Sequence, residues 1–167
     1  MGSAVGPALE PSQVLELAAS NKFLHLPRWI FDAVWTPYVY TTGIGPALLP
    51  ALAAALAFPV QIESNTHFVL CKQTAFVTDT AVPPTTVFPA PFITCSLAQS
   101  GSARGFMPAA QAVPLLSIFG TGQRPFEWDV AKLIEANSQF SITLNNLVGV
   151  PFNVFLAFIG FAVVVSG

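Results

Sequence analysis

Charge is what this chain lacks most. Of its 167 residues, six are Lys or Arg and eight are Asp or Glu, together 8%, against about a quarter in a typical soluble domain. A free monomer so short of charge leaves large apolar areas open to association. Much of its surface is therefore expected to be covered by neighbours. The basic residues Lys22, Arg28, Lys72, Arg104, Arg124 and Lys132 stand singly, so no patch can neutralise a run of phosphates, which argues against direct binding of nucleic acid. Cysteine is scarce as well. Cys71 and Cys95 lie in separate apolar stretches without CxxC or histidine spacing and read as small core residues, with a lone disulfide as the alternative. Residues 1–11 lack both the basic start and the continuous apolar core of a secretory signal.

What is present in quantity is apolar, and it is broken up. Hydrophobic residues make up 53% of the chain, and fifteen prolines and eleven glycines interrupt them. A chain of this length forms one core of ordinary size with room for an appendage. The expected division is an N-terminal helical arm or assembly segment over residues 1–57 and a β-sandwich domain over residues 58–167. In the first part, Val14, Leu15 and Leu17 suit a short helix over residues 12–19 with Ser12 as N-cap. Trp29, Ile30, Ala33 and Val34 line one helical face until Pro37 interrupts it. Residues 47–58, rich in alanine and leucine, read as a helix of about three turns, started or divided by Pro50.

From Pro59 the period changes to two. Val60, Ile62, Phe68 and Leu70 alternate with Gln61, Glu63, His67 and Val69, as in strands joined by a turn at residues 63–66. A proline-rich loop at residues 82–91, the stretch 92–97 with Ile93, Cys95 and Leu97 on one face, and a turn at Ser100-Gly101-Ser102 follow. Residues 127–135 read as an extended loop or short strand, with a helical turn as the alternative. Phe140, Ile142 and Leu144 alternate with Ser141, Thr143 and Asn145, and residues 146–151 return the chain into 152–165, giving a hairpin of two long strands. The second is apolar on both faces, so it is expected to lie centrally or under a partner. Six to eight short strands between turn clusters imply a mainly β protein, an antiparallel sandwich or jelly roll with a short helical, aromatic-rich N-terminal arm.

Chemistry finds little support in these residues. His25 and His67 have no HxxxH, HxH or paired carboxylate beside them, so no metal is assigned. No serine stands in a GxSxG elbow, and Gly120-Thr121-Gly122 lacks the third glycine of a phosphate loop and runs into Arg124-Pro125, which makes it a turn. Glu127, Asp129 and Glu135 read as a polar edge beside Arg124 and Lys132. No catalytic residue and no cofactor is assigned, and the chain is read as not an enzyme. The alternative of membrane association rests on residues 147–165, long enough to approach a bilayer span and free of charge. Pro151, Asn153 and Gly160 interrupt that run, and no basic cluster flanks it.

Interfaces favour Trp, Tyr, Phe and Arg and are depleted in Lys and Glu. Trp29, Phe31, Trp35, Tyr38 and Tyr40, with Arg124 and Trp128 further on, are accordingly the expected contact residues. Residues 1–57 would then dock on neighbouring subunits, or else fold back over their own sheet as a third layer. Over residues 60–165 the order of features resembles small β-sandwich structural proteins of tailed-bacteriophage virions. The segments that carry this are Ile62-Glu63-Ser64 with His67-Phe68-Val69-Leu70, the link at residues 101–106, the run from Ile118 to Phe126 through Gly120-Thr121-Gly122, Leu133-Ile134-Glu135-Ala136-Asn137-Ser138, and Asn153-Val154-Phe155-Leu156 with Ile159-Gly160-Phe161. The resemblance implies a capsid decoration, cement or minor head protein located in the virion. Its partners would be copies of itself, as a symmetric homo-oligomer with a trimer favoured, and other capsid proteins. A β-sandwich module that binds a receptor or ligand for the particle is a further alternative.

Overall fold

A computed structural model describes residues 2–41, 47–49, 56–81, 93–99 and 112–165. Ten strands and two α-helices are found among them. In chain order these are β1 (Gly2–Ala4), α1 (Pro11–Ala19), a 3-10 turn (Arg28–Asp32), β2 (Val34–Thr41), β3 (Ala47–Leu49), β4 (Leu56–Gln61), β5 (Thr66–Thr78), β6 (Ile93–Gln99), β7 (Val113–Pro114), α2 (Leu115–Phe119), β8 (Phe126–Ile134), β9 (Gln139–Asn146) and β10 (Phe152–Val164). They form two antiparallel sheets. Sheet A has the order β1-β2-β10-β5-β8, with β3 also paired to β10, and sheet B has the order β4-β9-β6-β7. The mainly β, two-sheet sandwich read from the alternating pattern is the architecture observed.

Alternation places the central core where the periodicity indicates. Val60, Ile62, Phe68, Leu70, Ile93, Cys95, Leu97, Phe140, Ile142 and Leu144 are all buried in one cluster between the sheets. From β10 that cluster takes Phe152, Val154, Leu156 and Phe158. Phe140 of sheet B meets Phe158 of sheet A edge to face, with ring centroids 4.7 Å apart, so aromatic packing joins the two layers. The expected hairpin is not formed. β9 pairs with β4 and β6, whereas β10 pairs with β2 and β5, so the connection after Asn146 changes sheets. A strand apolar on both faces gains more from lying between two layers than from a place beside its predecessor. The apolar run at residues 147–165 is thus a strand through most of its length. Among the described residues no helix is long and apolar enough to cross a membrane.

The N-terminal part differs most from its sequence reading. The short helix is present as α1, but Glu10 rather than Ser12 is its N-cap, with Pro11 as its first residue and the Glu10 N–H donating to Gln13 Oε1 at 2.9 Å. The helical face expected from Trp29 to Val34 gives way to a single 3-10 turn, and Val34–Thr41 becomes a strand along β10 from Val164↔Val34 to Ala157↔Thr41. Pro37 is tolerated inside β2 because its carbonyl, which accepts the Val5 N–H at 3.0 Å, faces the side away from β10, so its missing N–H removes no bond between β2 and β10. Residues 47–49 and 56–58 are strands rather than ends of one helix, and residues 50–55 lie outside the described set. Strand pairing has overridden a modest helix propensity. The proline-rich loop at 82–91, Phe92, the turn at 100–102 and the link at 101–106 also lie outside the described residues.

Residues 2–41 therefore belong to sheet A instead of standing off it. A second cluster, made of Val14, Phe23, Leu26, Ile30 and Trp35 with Val69, Cys71, Ala131 and Val163, packs on the face of sheet A turned away from sheet B. This is the third-layer arrangement. Trp35 is fully buried there, with its Nε1–H on the Ile30 carbonyl at 2.7 Å and Phe31 stacked on it at 5.6 Å.

A bulge in β5 near Cys71 shifts the register against β10 between Ile159 and Gly160. Gly160 lies so close to β5 that a Cβ built on it runs into the Val69 carbonyl. Gly160→Ala is expected to destabilise the fold at or above the upper end of the roughly 1–3 kcal/mol typical of overpacking. Urea denaturation followed by circular dichroism would check this, and an unchanged midpoint would contradict the close approach of these two strands.

Candidate functional site

The N-terminal segment is tied to both edges of sheet A. On one side β1 pairs with β2, and the Leu9 N–H donates to the Trp35 carbonyl at 2.7 Å. On the other side, at β8, Ala131 has both backbone groups met: its N–H donates to the Lys22 carbonyl at 3.0 Å, and its carbonyl accepts from His25 Nε2 at 2.7 Å. The β8 edge is thereby met at Ala131, and β1 becomes the opposite edge of the sheet. The cover is partial, however. Along β10 the outward residues Phe161 and Val163 lie under α1 and the 3-10 turn, while Phe155 is 36% exposed and its cross-strand partner Phe76 is 48% exposed. These two rings stand 6.1 Å apart. Ala157 and Ile159 of β10, Thr74 of β5 and Val39 of β2 continue the same face by alternation. On the same face, Lys72 is paired with its cross-strand neighbour Glu127 at 2.6 Å, and Lys22 lies 3.9 Å from the same carboxylate. The Lys72 ammonium, which both bonds and attracts it, holds the Glu127 carboxyl below the usual range.

The residues expected to make contacts divide into two groups. Trp35 and Tyr40 are used inside the chain's own fold: Trp35 centres the outer cluster, and Tyr40 packs edge to face on Phe68 at 4.8 Å in the central core. They present no surface to a neighbour. Phe31 is half-buried against Trp35. Tyr38 is also half-buried, and its hydroxyl donates to Glu63 Oε1 at 3.1 Å. Trp29 is 44% exposed against the His67 ring, and Arg124 lies in the exposed turn after α2. Trp128 donates from Nε1 to Gln73 Oε1 at 3.3 Å beneath the Lys132 ammonium. These residues do not converge on one patch. Phe76 and Phe155 were not singled out by composition, although the two-faced apolar character of 152–165 already signalled that something must cover that strand.

The candidate nucleophiles and ligands among the described residues are placed as follows. Both cysteines are free and buried. Cys71 sits in the outer cluster and Cys95 in the central one, and burial pushes their thiols up to about 11 and about 12, where the reactive thiolate is scarce at neutral pH. Among the described residues no group of three or more His, Cys, Asp or Glu is placed to hold a metal ion. Gly120, with φ of 65°, closes α2 and opens a turn in which Thr121 and Arg124 exchange backbone hydrogen bonds, so this glycine pair serves a turn. Comparison with family models, with curated proteins and with solved structures finds no match.

Two buried polar groups are informative. Gln73 is fully buried in the central layer, where its Nε2 donates to the Ile118 carbonyl and its Oε1 accepts from Trp128. It joins α2 to β8 through a satisfied network. The Tyr40 hydroxyl is buried without a hydrogen bond of normal geometry, and burial, then the Glu63 charge, pushes its ionisation up to about 12 against a smaller opposing pull from the Glu63 backbone. Tyr40→Phe removes an unsatisfied group and is expected to be neutral or stabilising by about 1 kcal/mol, whereas Gln73→Ala strands two partners and is expected to cost about 2–4 kcal/mol. Paired thermal and urea unfolding of the two variants would check the contrast; equal losses would contradict it.

Proposed function

We propose that this chain is a structural subunit of a virus particle, a capsid decoration, cement or minor head protein, that acts through contacts with copies of itself and with other virion proteins. The observation that carries this reading is the part-exposed apolar pair Phe76 and Phe155 on the outer face of sheet A. Exposed apolar surface of this kind marks a contact site. A second copy suits it because neither ring of the pair carries a charge that would repel its own copy. A net charge of −2 and the small number of charged side chains support the same reading, since little of the surface is built to face water alone. The sequence resemblance over residues 60–165 supplies the class of assembly. One patch of a few residues is far smaller than the roughly 800 Å² per partner of a stable interface. The reading therefore requires further contacts, supplied by a closed symmetric ring, of which a trimer is the favoured form, and by the shell beneath it.

The test is detergent-free sedimentation of the wild-type chain and of Phe76→Ser combined with Phe155→Ser, with circular dichroism on each sample. A discrete β-rich oligomer for the wild type, shifted towards monomer in the double variant at an unchanged spectrum, is the expected result. A wild type that stays monomeric at every concentration overturns the self-assembly reading. Material obtained only in detergent supports membrane association in its place.

A further inference from the structure

The two histidines tie elements together by hydrogen bonds of opposite sense. His25 donates from Nε2 to the Ala131 carbonyl at 2.7 Å, a bond open to both the neutral and the protonated ring. His67 instead accepts: the Ala136 N–H donates to its Nδ1 at 3.2 Å. An accepting Nδ1 carries no proton, so this ring is neutral with its hydrogen on Nε2. Protonation would place an N–H donor against the Ala136 N–H donor, and the bond would be lost.

The position of this bond gives it reach. Residues 62–65 carry the chain from β4 in sheet B to β5 in sheet A, and residues 135–138 carry it from β8 in sheet A to β9 in sheet B. The two corners lie together, with the Ile62 N–H on the Ser138 carbonyl at 2.9 Å and the Asn137 N–H on the Glu63 carbonyl at 3.1 Å. His67, at the start of β5, ties the second corner through Ala136, and its ring also packs against Trp29 of the N-terminal layer at 4.9 Å. We infer that His67 is an acid-sensitive latch that holds the inter-sheet corner and the Trp29 turn in place while neutral and releases them when protonated. This inference does not depend on the virion reading.

The charged groups in the surrounding elements are Glu135 after β8, Glu63 in the facing corner, and Arg28 and Asp32 in the 3-10 turn, while Val163 of β10 opposite His67 is apolar. Burial lowers the His67 value below 6.5, and the Glu135 charge acts in the opposite direction without cancelling it. A base with a depressed folded value contributes stability that is fully present above its unfolded value. That contribution is lost as the pH falls from 6.5 towards the folded value.

The test uses the full chain. Nitrogen-15 NMR would follow the His67 ring, and amide exchange would follow Ala136 and residues 28–32, from about pH 8 to about pH 5. The expected result is an Nε2–H tautomer at high pH, a midpoint below 6.5, and loss of Ala136 protection on the same curve. In His67→Asn the side-chain oxygen keeps an acceptor that does not titrate. Relative to that variant, the wild-type unfolding constant is expected to rise by up to about tenfold per pH unit within the window. An Nδ1–H tautomer, a midpoint at or above 6.5, or Ala136 exchange indifferent to ring protonation would overturn the latch. The wild-type spectra decide even where the variant fails to fold.

Discussion

The double-sided burial of β10 is the constraint on which the rest of this structure depends. Its inner face supplies Phe152, Val154, Leu156 and Phe158 to the layer between the sheets, and its outer face supplies Phe161 and Val163 to a second layer beneath the N-terminal segment. A strand with one apolar face completes a sandwich; a strand with two needs a third layer or a partner. That requirement accounts for several features together: the change of sheet after β9, the central place of β10 between β2 and β5, and the folding of α1 and the 3-10 turn over sheet A. Fully burying one such side chain is worth about 1.5–3 kcal/mol, so several of them outweigh the local preferences of the short helices that cover them.

The same segment also bears on the edges of sheet A. Sheet A ends at β1 on one side and β8 on the other. Residues 2–41 reach both, pairing along β2 and meeting the two backbone groups of Ala131. Natural proteins often blunt edges with lysine or other charges. This chain has few to spare and uses its own backbone. The aromatic residues that look like an interface in the sequence are largely consumed in this closure, with Trp35 buried among Phe23, Phe31 and Phe161. Among the aromatic rings that stay outside are Trp29 and the pair Phe76 and Phe155.

Polar chemistry in this protein works mainly to position elements. Gln73 holds α2 against β8, His25 holds the N-terminal segment to β8, and His67 holds one corner between the sheets. With so few ionisable groups, the protonation state of a single ring that must remain an acceptor carries unusual weight. The cysteines, buried in separate layers with their thiols pushed upward, behave as small apolar residues.

The alternation at Val60, Ile62, Phe68 and Leu70 and at Phe140, Ile142 and Leu144 by itself determined the sandwich class and most of the central core, because a period of two assigns each side chain to a face wherever its strand lies. The two-faced apolar character of residues 152–165 likewise determined that this strand would be covered. Only the tertiary structure decided what covers it. Pairing between β10 and β2 turned the helix-like stretch around Trp35 into a strand, and the bulge near Cys71, invisible in any local pattern, set which residues of β5 face out. The same holds for the exposed patch and the His67 contact, which depend on residues far apart in sequence meeting in space: Phe76 with Phe155, and His67 with Ala136 and Trp29. Periodicity reports the face a side chain takes, whereas its partner on that face is a matter of register and layer order, which long-range packing alone supplies.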